Sequence, residues 1–299
     1  MNKIEKSWSE EKTINLIDET LSKYDDGELF VEKIVSENLV FDDNKLKNAS
    51  FDEDKGFGFR SVRDDSIGFA HSSELTDSSL TKAVNAVKSL KSSNKKLVKV
   101  PLKTNKKLYS DKNPIDLVEF ESKVDLLKTI NDYARAKNQD VKQVSITLAG
   151  NYQNIEIYKT NGVFYSDSRP LVRLNVNISI EKNNSIENGS FGFGGRHMYD
   201  LLFNQNSWKN AVDNAYTQAM IKHKAVSAPA GEQTVILGPG WPGILLHEAI
   251  GHGLEGDFNR KKTSVFTELV GKSVASEQIT IVDDGTISDR RGSLSIDDE

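Results

Sequence analysis

The apolar positions in the first part of the chain follow helical spacing in some segments and strand spacing in others. A helix is predicted over residues 10–24, because its apolar residues recur every three or four positions. Strands are predicted for the runs ELFVEKIV, GFGFRS and IGFAHS, which are rich in β-branched or aromatic residues. A second helix is predicted to begin at Asp77, a residue type that caps helix N-termini well. The pattern predicts a small N-terminal α+β domain over residues 1–95.

The middle of the chain begins with a predicted connection. Residues 91–116 are rich in Lys, Ser and Asn, contain two prolines and show weak periodicity, which is typical of a link between domains. A helix is predicted over residues 117–137, followed by strands in KQVSITLAG, NIEIYKT, VFYSD and LVRLNVNISIE. Asn161-Gly162 predicts a two-residue hairpin turn, because both residues tolerate positive φ. With a further helix over residues 199–223, the pattern predicts a central domain, residues 115–228, in which helices flank an antiparallel β-meander.

The last part of the chain opens with a predicted strand, TVILG, and continues into an apolar helix that starts near Pro242. We expect a third domain over residues 229–299. The predicted fold class of the whole chain is α+β.

Composition narrows the classes of function. The 299 residues include 39 Lys and Arg against 44 Asp and Glu, and the net charge of -5 does not favour a nucleic-acid-binding protein. The N-terminus lacks the apolar stretch of a signal peptide, and no run approaches the roughly 18 apolar residues of a membrane span. We therefore expect a cytoplasmic protein that does not bind membranes. The absence of cysteine excludes disulfides and thiolate metal ligands within these residues.

A glycine-rich motif offers one interpretation of the last part. Residues 238–243 match G-x-G-x-x-G between a predicted strand and a predicted helix, which is the context of a dinucleotide-binding loop. No clear acidic residue follows at the end of a second strand about 20 residues later. The alternative is that these glycines and prolines shape the turn into the helix, with Pro242 in or near its first turn.

The motif H-E-A-I-G-H offers another interpretation. His247, Glu248 and His252 on a buried helix could bind zinc and hold a general base beside it. Positions five apart on an α-helix lie ~140° out of line, so a regular helix would separate the two imidazoles. A wide π-type turn would return them to one face, and Gly251 would supply the backbone freedom for it. Alternatively, the spacing is a coincidence and both histidines are ordinary core or surface residues.

The same region resembles a known family. VILGPGWPGILLHEAIGHGLEGDFNRKKTSVF, followed by TIVDDGTISDRRGSLSIDDE, resembles the catalytic segment of the TldD/PmbA metallopeptidases, in their TldD branch. DKGFGFRSVRDDSIGFAHSSEL resembles the N-terminal domain of the family, and the meander resembles its central domain. The TldE/PmbA branch lacks H-E-x-x-x-H, so the motif indicates the metal-bearing subunit.

The resemblance implies specific roles. His247 and His252 would be zinc ligands, and Glu248 would be the base that deprotonates the attacking water. The third domain would be the start of a β-rich metallopeptidase domain. The partner would be a TldE/PmbA-like subunit, and the substrates would be small or unfolded polypeptides and peptide precursors. A rival hypothesis is a non-catalytic assembly subunit that keeps the histidines but serves to bind a partner.

The sequence departs from the family in its ligand set. A catalytic zinc usually has three protein ligands, and the family supplies the third from a cysteine far downstream. This chain has no cysteine and stops at SIDDE, so we expect a C-terminally truncated chain that binds zinc weakly or not at all and is inactive alone. Asp257, Glu268 and Glu277 remain alternative third ligands. The other histidines, His71, His197 and His223, are expected to be ordinary core or surface residues.

Overall fold

The computed structural model describes residues 4–64, 66–88, 106–240 and 242–297. The chain forms two compact units. The larger unit comprises Met1–Ala225 together with the C-terminal segment Gly285–Glu299, and the smaller unit is Val226–Asp284. The predicted division into three domains, 1–95, 115–228 and 229–299, stays a prediction.

The larger unit is built on one antiparallel sheet of six strands. The strands are β1 Asp26–Asp42, β2 Lys45–Arg63, β3 Ser66–Ser72, β4 Val141–Lys159, β5 Val163–Lys182 and β6 Ser185–Gly195. Their order in the sheet is β3-β2-β1-β4-β5-β6. Because β1 pairs with β4, the N-terminal strands and the meander share a single sheet. With its helices, this sheet confirms the predicted α+β fold class.

Each predicted helix of this unit is found, but its ends differ from the prediction, and the last one is divided into two. They are α1 Glu10–Leu21, α2 Asp77–Val87, α3 Phe120–Arg135, α4 Asp200–Phe203 and α5 Gln205–Lys222, with a 3-10 turn at Ile115–Leu117. The cap of α2 is Thr76 rather than Asp77, because the Thr76 side chain accepts a hydrogen bond from the Ser79 amide. The helix predicted for residues 199–223 is interrupted at Asn204, whose side chain caps the start of α5.

The strands are longer than predicted. Four predicted segments form two continuous strands, β4 and β5, and β6 is a further strand of the same sheet. The polar residues at the expected breaks face each other across the pair, where the Ser168 hydroxyl donates to the Asn154 amide oxygen at 2.8 Å. Because these polar groups are satisfied by each other, the ladder continues past them.

The hairpin turns use left-handed backbone. Asn161 and Gly162 have φ of 64° and 69°, which confirms the turn predicted there. The loop has three residues rather than the predicted two, because Lys159 pairs with Val163. The β5–β6 hairpin has a two-residue loop, Asn183-Asn184, that also adopts positive φ and that the sequence pattern did not reveal.

Two apolar clusters lie on one face of the sheet. β1 contributes Leu29 and Val31 to the first cluster and Leu39 and Phe41 to the second. These are all odd-numbered positions of one strand, and side chains two apart point the same way. Helices α1 and α2 cover the first cluster, and α3 and α5 cover the second. The core is therefore one layer of helices against one sheet face.

A buried ionic group lies between these clusters on β1. The Lys123 ammonium donates to both carboxylate oxygens of Glu37, at 2.8 and 2.9 Å, and to the Ile115 carbonyl at 3.0 Å. The Tyr199 hydroxyl donates to the same carboxylate at 2.8 Å. Burial and this negative neighbour raise the pKa of Tyr199, so its hydroxyl stays protonated as a donor. The group ties α3 and the segment before α4 to the centre of the sheet.

The predicted linker is only partly described. Residues 91–105 lie outside the described residues, and within 106–116 the side chains of Leu108, Tyr109 and Ile115 are buried. This part of the connection therefore packs against the larger unit instead of being solvated.

The C-terminal segment is held by main-chain contacts. Arg169 donates to the Ile296 carbonyl at 2.6 Å, and the Arg196 guanidinium donates to the Ser293 carbonyl at 2.6 Å. The Arg196 amide also donates to the Asp289 carbonyl at 2.9 Å. Arg169 of β5 and Arg196, which directly follows β6, thus bind residues that are distant in sequence.

No helix in the described ranges has the length and apolar character needed to cross a membrane, and a cytoplasmic location stays a prediction.

The buried ion pair gives a stability prediction. Replacing Lys123, which is 3% exposed at its side chain, with Met leaves the Glu37 carboxylate buried without its counter-ion. We expect Lys123→Met to lower the free energy of unfolding by about 3–5 kcal/mol, measured by urea denaturation. Lys128 lies on the exposed side of the same helix, and we expect Lys128→Met to change it by less than about 0.5 kcal/mol. Equal stabilities of the two variants would contradict a structural role for the pair.

Candidate metal centre

The smaller unit differs from the prediction at its start. Residues 234–238, predicted as the strand TVILG, form neither strand nor helix. The side chains of Val235, Ile236 and Leu237 are 78%, 94% and 59% exposed, and no strand occurs among the described residues of 226–284. A strand needs a hydrogen-bonding partner, and apolar character alone does not supply one.

Because residues 234–238 form no strand, the glycine-rich motif lacks the structural context of a dinucleotide-binding loop. A dinucleotide-binding loop requires a preceding strand, and residues 238–243 have none. Pro242 lies immediately before a short helix, α6 Gly243–Leu246, as predicted for a residue that shapes the turn. The dinucleotide interpretation therefore has no structural basis here.

The H-E-A-I-G-H motif adopts the predicted π-type turn. Residues His247–Gly251 form a π-helix between α6 and a last short turn, α7 His252–Leu254. The His252 amide donates to the His247 carbonyl, five residues back. This wider turn places the two imidazole rings side by side, with centroids 4.5 Å apart. The residue that a regular helix could not accommodate is absorbed by the backbone.

The expected role of Gly251 is wrong. Its φ and ψ are -55° and -54°, which any residue adopts in a helix. A Cβ atom at this position would meet the His247 ring at 3.5 Å, an ordinary contact. The π-helix therefore does not depend on glycine at this position.

The three motif residues converge on one small volume. One ligand atom from each of His247, Glu248 and His252 lies within 4.8 Å of the others. A Glu248 carboxylate oxygen is 3.6 Å from Nε2 of His252. All three residues are exposed, and no residue of α6, the π-helix or α7 is buried. The expectation of a buried helix is therefore wrong, because the apolar residues of the motif have no covering element among the described residues of this unit.

A second carboxylate, which sequence reasoning missed, contacts the other side of the His252 ring. Glu255 accepts a hydrogen bond from Nδ1 of His252 at 2.6 Å. This bond, together with the negative charges of Glu255 and Glu248, raises the pKa of His252. The available sequence signal was the three-residue spacing in H-G-L-E, which brings side chains together at a helix end.

The turn that carries His252 is held by two residues that follow it in sequence, Asn259 and Ser264. The Ser264 hydroxyl and the Asn259 side-chain amide both donate to the Gly253 carbonyl, at 2.5 and 3.0 Å. The Phe266 ring lies so close that a Cβ atom on Gly253 would be 2.6 Å from it. Glycine at position 253 is therefore required for this close approach.

The alternative third ligands are engaged elsewhere. Asp257 forms ion pairs with Arg260 at 2.9 Å and Lys261 at 2.8 Å, and these cations lower its pKa. Glu268 pairs with Lys262 at 3.0 Å. Within the described ranges, Asp257, Glu268 and Glu277 do not belong to the group of possible metal ligands that His247, Glu248 and His252 form.

The remaining histidines have no part in this group. His71 stacks on Phe69, and a ring nitrogen of His223 contacts the Ile180 carbonyl at 3.1 Å. His197 also lies in the larger unit, and in the described ranges none of the three belongs to a cluster of possible metal ligands.

Comparison with known proteins identifies one family over most of the chain. Residues 27–90 match domain 1 of the PmbA/TldA metallopeptidases, residues 113–222 match their central domain, and residues 230–299 match their C-terminal domain. The chain is 40% identical over 289 residues to a metalloprotease TldD homolog of Haemophilus influenzae and 38% identical over 284 residues to one of Buchnera aphidicola. Each match covers 92% of this chain and 59% of the relative, so the chain spans little more than half the length of these proteins.

Two solved structures share the fold. TldE from Thermococcus kodakarensis aligns with a TM-score of 0.71 at 19% identity, covering 95% of this chain and 64% of that chain. A putative modulator of DNA gyrase from Bacteroides thetaiotaomicron aligns with a TM-score of 0.72 at 15% identity, covering 96% and 66%. At these identities the likeness concerns the fold alone.

The two glycines near His252 give a matched pair of predictions. We expect Gly251→Ala to preserve the close approach of the two imidazoles, because neither its backbone angles nor its space requires glycine. We expect Gly253→Ala to displace the Phe266 ring and shift its NMR signals. Nuclear Overhauser contacts between the His247 and His252 rings would test the first expectation. Their loss in Gly251→Ala would show that the π-helix needs glycine after all.

Proposed function

Because this chain belongs to the PmbA/TldD family of metallopeptidases, we propose that it is the metal-bearing, TldD-type subunit of a zinc-dependent peptidase. One observation carries the proposal: the π-helix brings His247, Glu248 and His252 together within 4.8 Å. The names of the relatives, which are metalloproteases, support a hydrolytic role.

The proposed ligands fit a zinc ion in chemistry and in spacing. Imidazole nitrogen is a preferred zinc donor, with bond lengths of about 2.0–2.1 Å. Two donors on one ion are then at most about 4.2 Å apart. Ligand atoms that lie within 4.8 Å on exposed side chains can reach this separation by small rotations. We propose His247 and His252 as the ligands.

Glu248 is proposed as the general base. A bound zinc ion acts as a Lewis acid and lowers the pKa of its water to about 7. The Glu248 carboxylate would accept a proton from the attacking water and return it to the amine that leaves when the peptide bond breaks. Its position next to His247 in sequence and 3.6 Å from His252 supports this role, because a base must lie beside the ligands without replacing them.

The third protein ligand is proposed to come from polypeptide outside these 299 residues. A catalytic zinc site uses three protein ligands and one open position. The chain contains no cysteine, and among its described residues no further carboxylate or histidine joins the group. On this proposal, the present chain alone binds zinc weakly and has little activity.

Small or unfolded polypeptides and peptide precursors are the proposed substrates, and a TldE/PmbA-like subunit is the proposed partner. This substrate class is what the resemblance to the TldD/PmbA family implies. The similarity in fold to a protein named TldE supports a partner of related architecture.

One observation favours a second candidate, an assembly subunit without catalysis. The smaller unit exposes many large apolar side chains, among them Val265 at 84% and Val270 at 99%. Where such side chains form a contiguous patch, the patch marks a protein contact. On this alternative, the unit would bind a partner, and the histidines would have no catalytic role.

Substitution of Glu248 separates the two candidates. In the full-length protein with its partner subunit, we expect Glu248→Gln to retain zinc and to hydrolyse an unstructured peptide at least about 100-fold more slowly, because only the base is removed. We expect His247→Ala to lose both zinc and hydrolysis. Zinc content is measured by elemental mass spectrometry, and peptide cleavage is measured by chromatography of the products.

Glu232→Gln provides the control, since it removes an exposed carboxylate of the same unit and should leave both quantities unchanged. Equal hydrolysis by Glu248→Gln and the parent would exclude Glu248 as the base. A complex that assembles but holds no zinc would favour the assembly subunit.

A further inference from the structure

The two ring nitrogens of His252 have different surroundings. Nδ1 lies 2.6 Å from a carboxylate oxygen of Glu255, whereas Nε2 lies on the side of Glu248, 3.6 Å away. An ionised carboxylate can only accept a hydrogen bond. In the neutral ring the nitrogen that faces Glu255 must therefore carry the proton, and Nε2 must carry the lone pair.

The backbone of Glu255 is fixed even though its side chain is exposed. Its carbonyl accepts from the backbone amide of Asn259 at 3.2 Å and from the side-chain amide of Asn259 at 2.9 Å. These bonds hold Glu255 at the start of α8 Gly256–Arg260, and its own side chain makes no capping hydrogen bond there. The carboxylate is thus free to contact His252 from a defined position.

An exposed ion pair of this kind contributes little to folding stability. Its effect is on the orientation and the tautomer of one ring. An imidazole can bind a metal only through a nitrogen without a proton, and a carboxylate on the opposite nitrogen fixes which one that is.

We propose that Glu255 is a positioning residue, which holds His252 in the Nδ1–H tautomer and turns Nε2 towards the metal group. The assignment deepens the proposed function and rests on it for the metal. Glu255 does not itself belong to the group of described residues whose ligand atoms lie within 4.8 Å. Its role is to act through His252.

The tautomer can be measured without any metal. In the chain labelled at histidine, ring nitrogen and carbon chemical shifts at a pH where the ring is neutral report which nitrogen is protonated. We expect the Nδ1–H form of His252 in the parent chain. Glu255→Gln should retain it in part, because the amide oxygen still accepts a hydrogen bond. Glu255→Ala should shift the ring to the Nε2–H form that an unpartnered histidine prefers.

Metal binding supplies the second readout. Zinc affinity is measured in the full-length protein with its partner subunit, by competition with a chromophoric chelator. We expect Glu255→Ala to weaken it about 10–100-fold, Glu255→Gln to weaken it less, and the Glu232→Gln control to leave it unchanged. The Ala variant removes no cap from α8, so a folding defect is not expected, and circular dichroism checks this.

The outcomes separate this proposal from the proposed function. An unchanged tautomer in Glu255→Ala, or an unchanged zinc affinity in a full-length parent that does bind zinc, would overturn the positioning role. A tautomer that shifts as expected in a full-length protein that binds no zinc would support the contact with Glu255 and would count against the metal site.

Discussion

The pairing of β1 with β4 is the interaction on which the larger unit depends. It joins strands more than a hundred positions apart, Leu29 with Tyr158 at one end and Asp42 with Ser145 at the other. This pairing makes one sheet from two sets of hairpins, so that both apolar clusters lie on the same face of β1. It also brings Glu37 into the middle of that face, where a cation was needed and Lys123 supplies it. Long-range pairing of this kind leaves no mark in local sequence patterns, which is why the helices and strands were predictable and their union in a single sheet was not.

The candidate site, in contrast, depends on contacts between residues that are close in sequence. The π-helix spans five residues, and its defining bond joins the His252 amide to the His247 carbonyl. The requirement for this turn could be derived from the sequence, since an extra residue between two ligands forces either a bulge or separation of the rings. The flexibility of Gly251 does not explain the turn, because the backbone at this residue is ordinary helix. The geometry was predictable from spacing, whereas the residue that permits it was not.

Two errors about the smaller unit have a common physical origin. The strand predicted at residues 234–238 and the buried character predicted for the metal-motif helix were both inferred from apolar residues. Apolar sequence predicts burial only where a second surface covers it. Among the described residues of the smaller unit no such surface exists, and Ile236 is 94% exposed. Glu255 was missed for a different reason: its contact with His252 depends on where α7 ends, and helix ends are the least certain part of a sequence pattern.

The position and the environment of the candidate metal group are therefore specified separately. Local hydrogen bonds set the position, through the π-helix and through the bonds of Asn259 and Ser264 to the Gly253 carbonyl. The proposed hydrolysis needs an environment in which bulk water is excluded and charges interact strongly, and this requires a covering surface. The smaller unit exposes both its imidazoles and its apolar side chains. A single additional surface that covers the apolar side chains would also lower the effective dielectric around Glu248. On the proposed function, assembly and catalysis would then depend on the same contact, with the geometry of the proposed ligands already set before that contact forms.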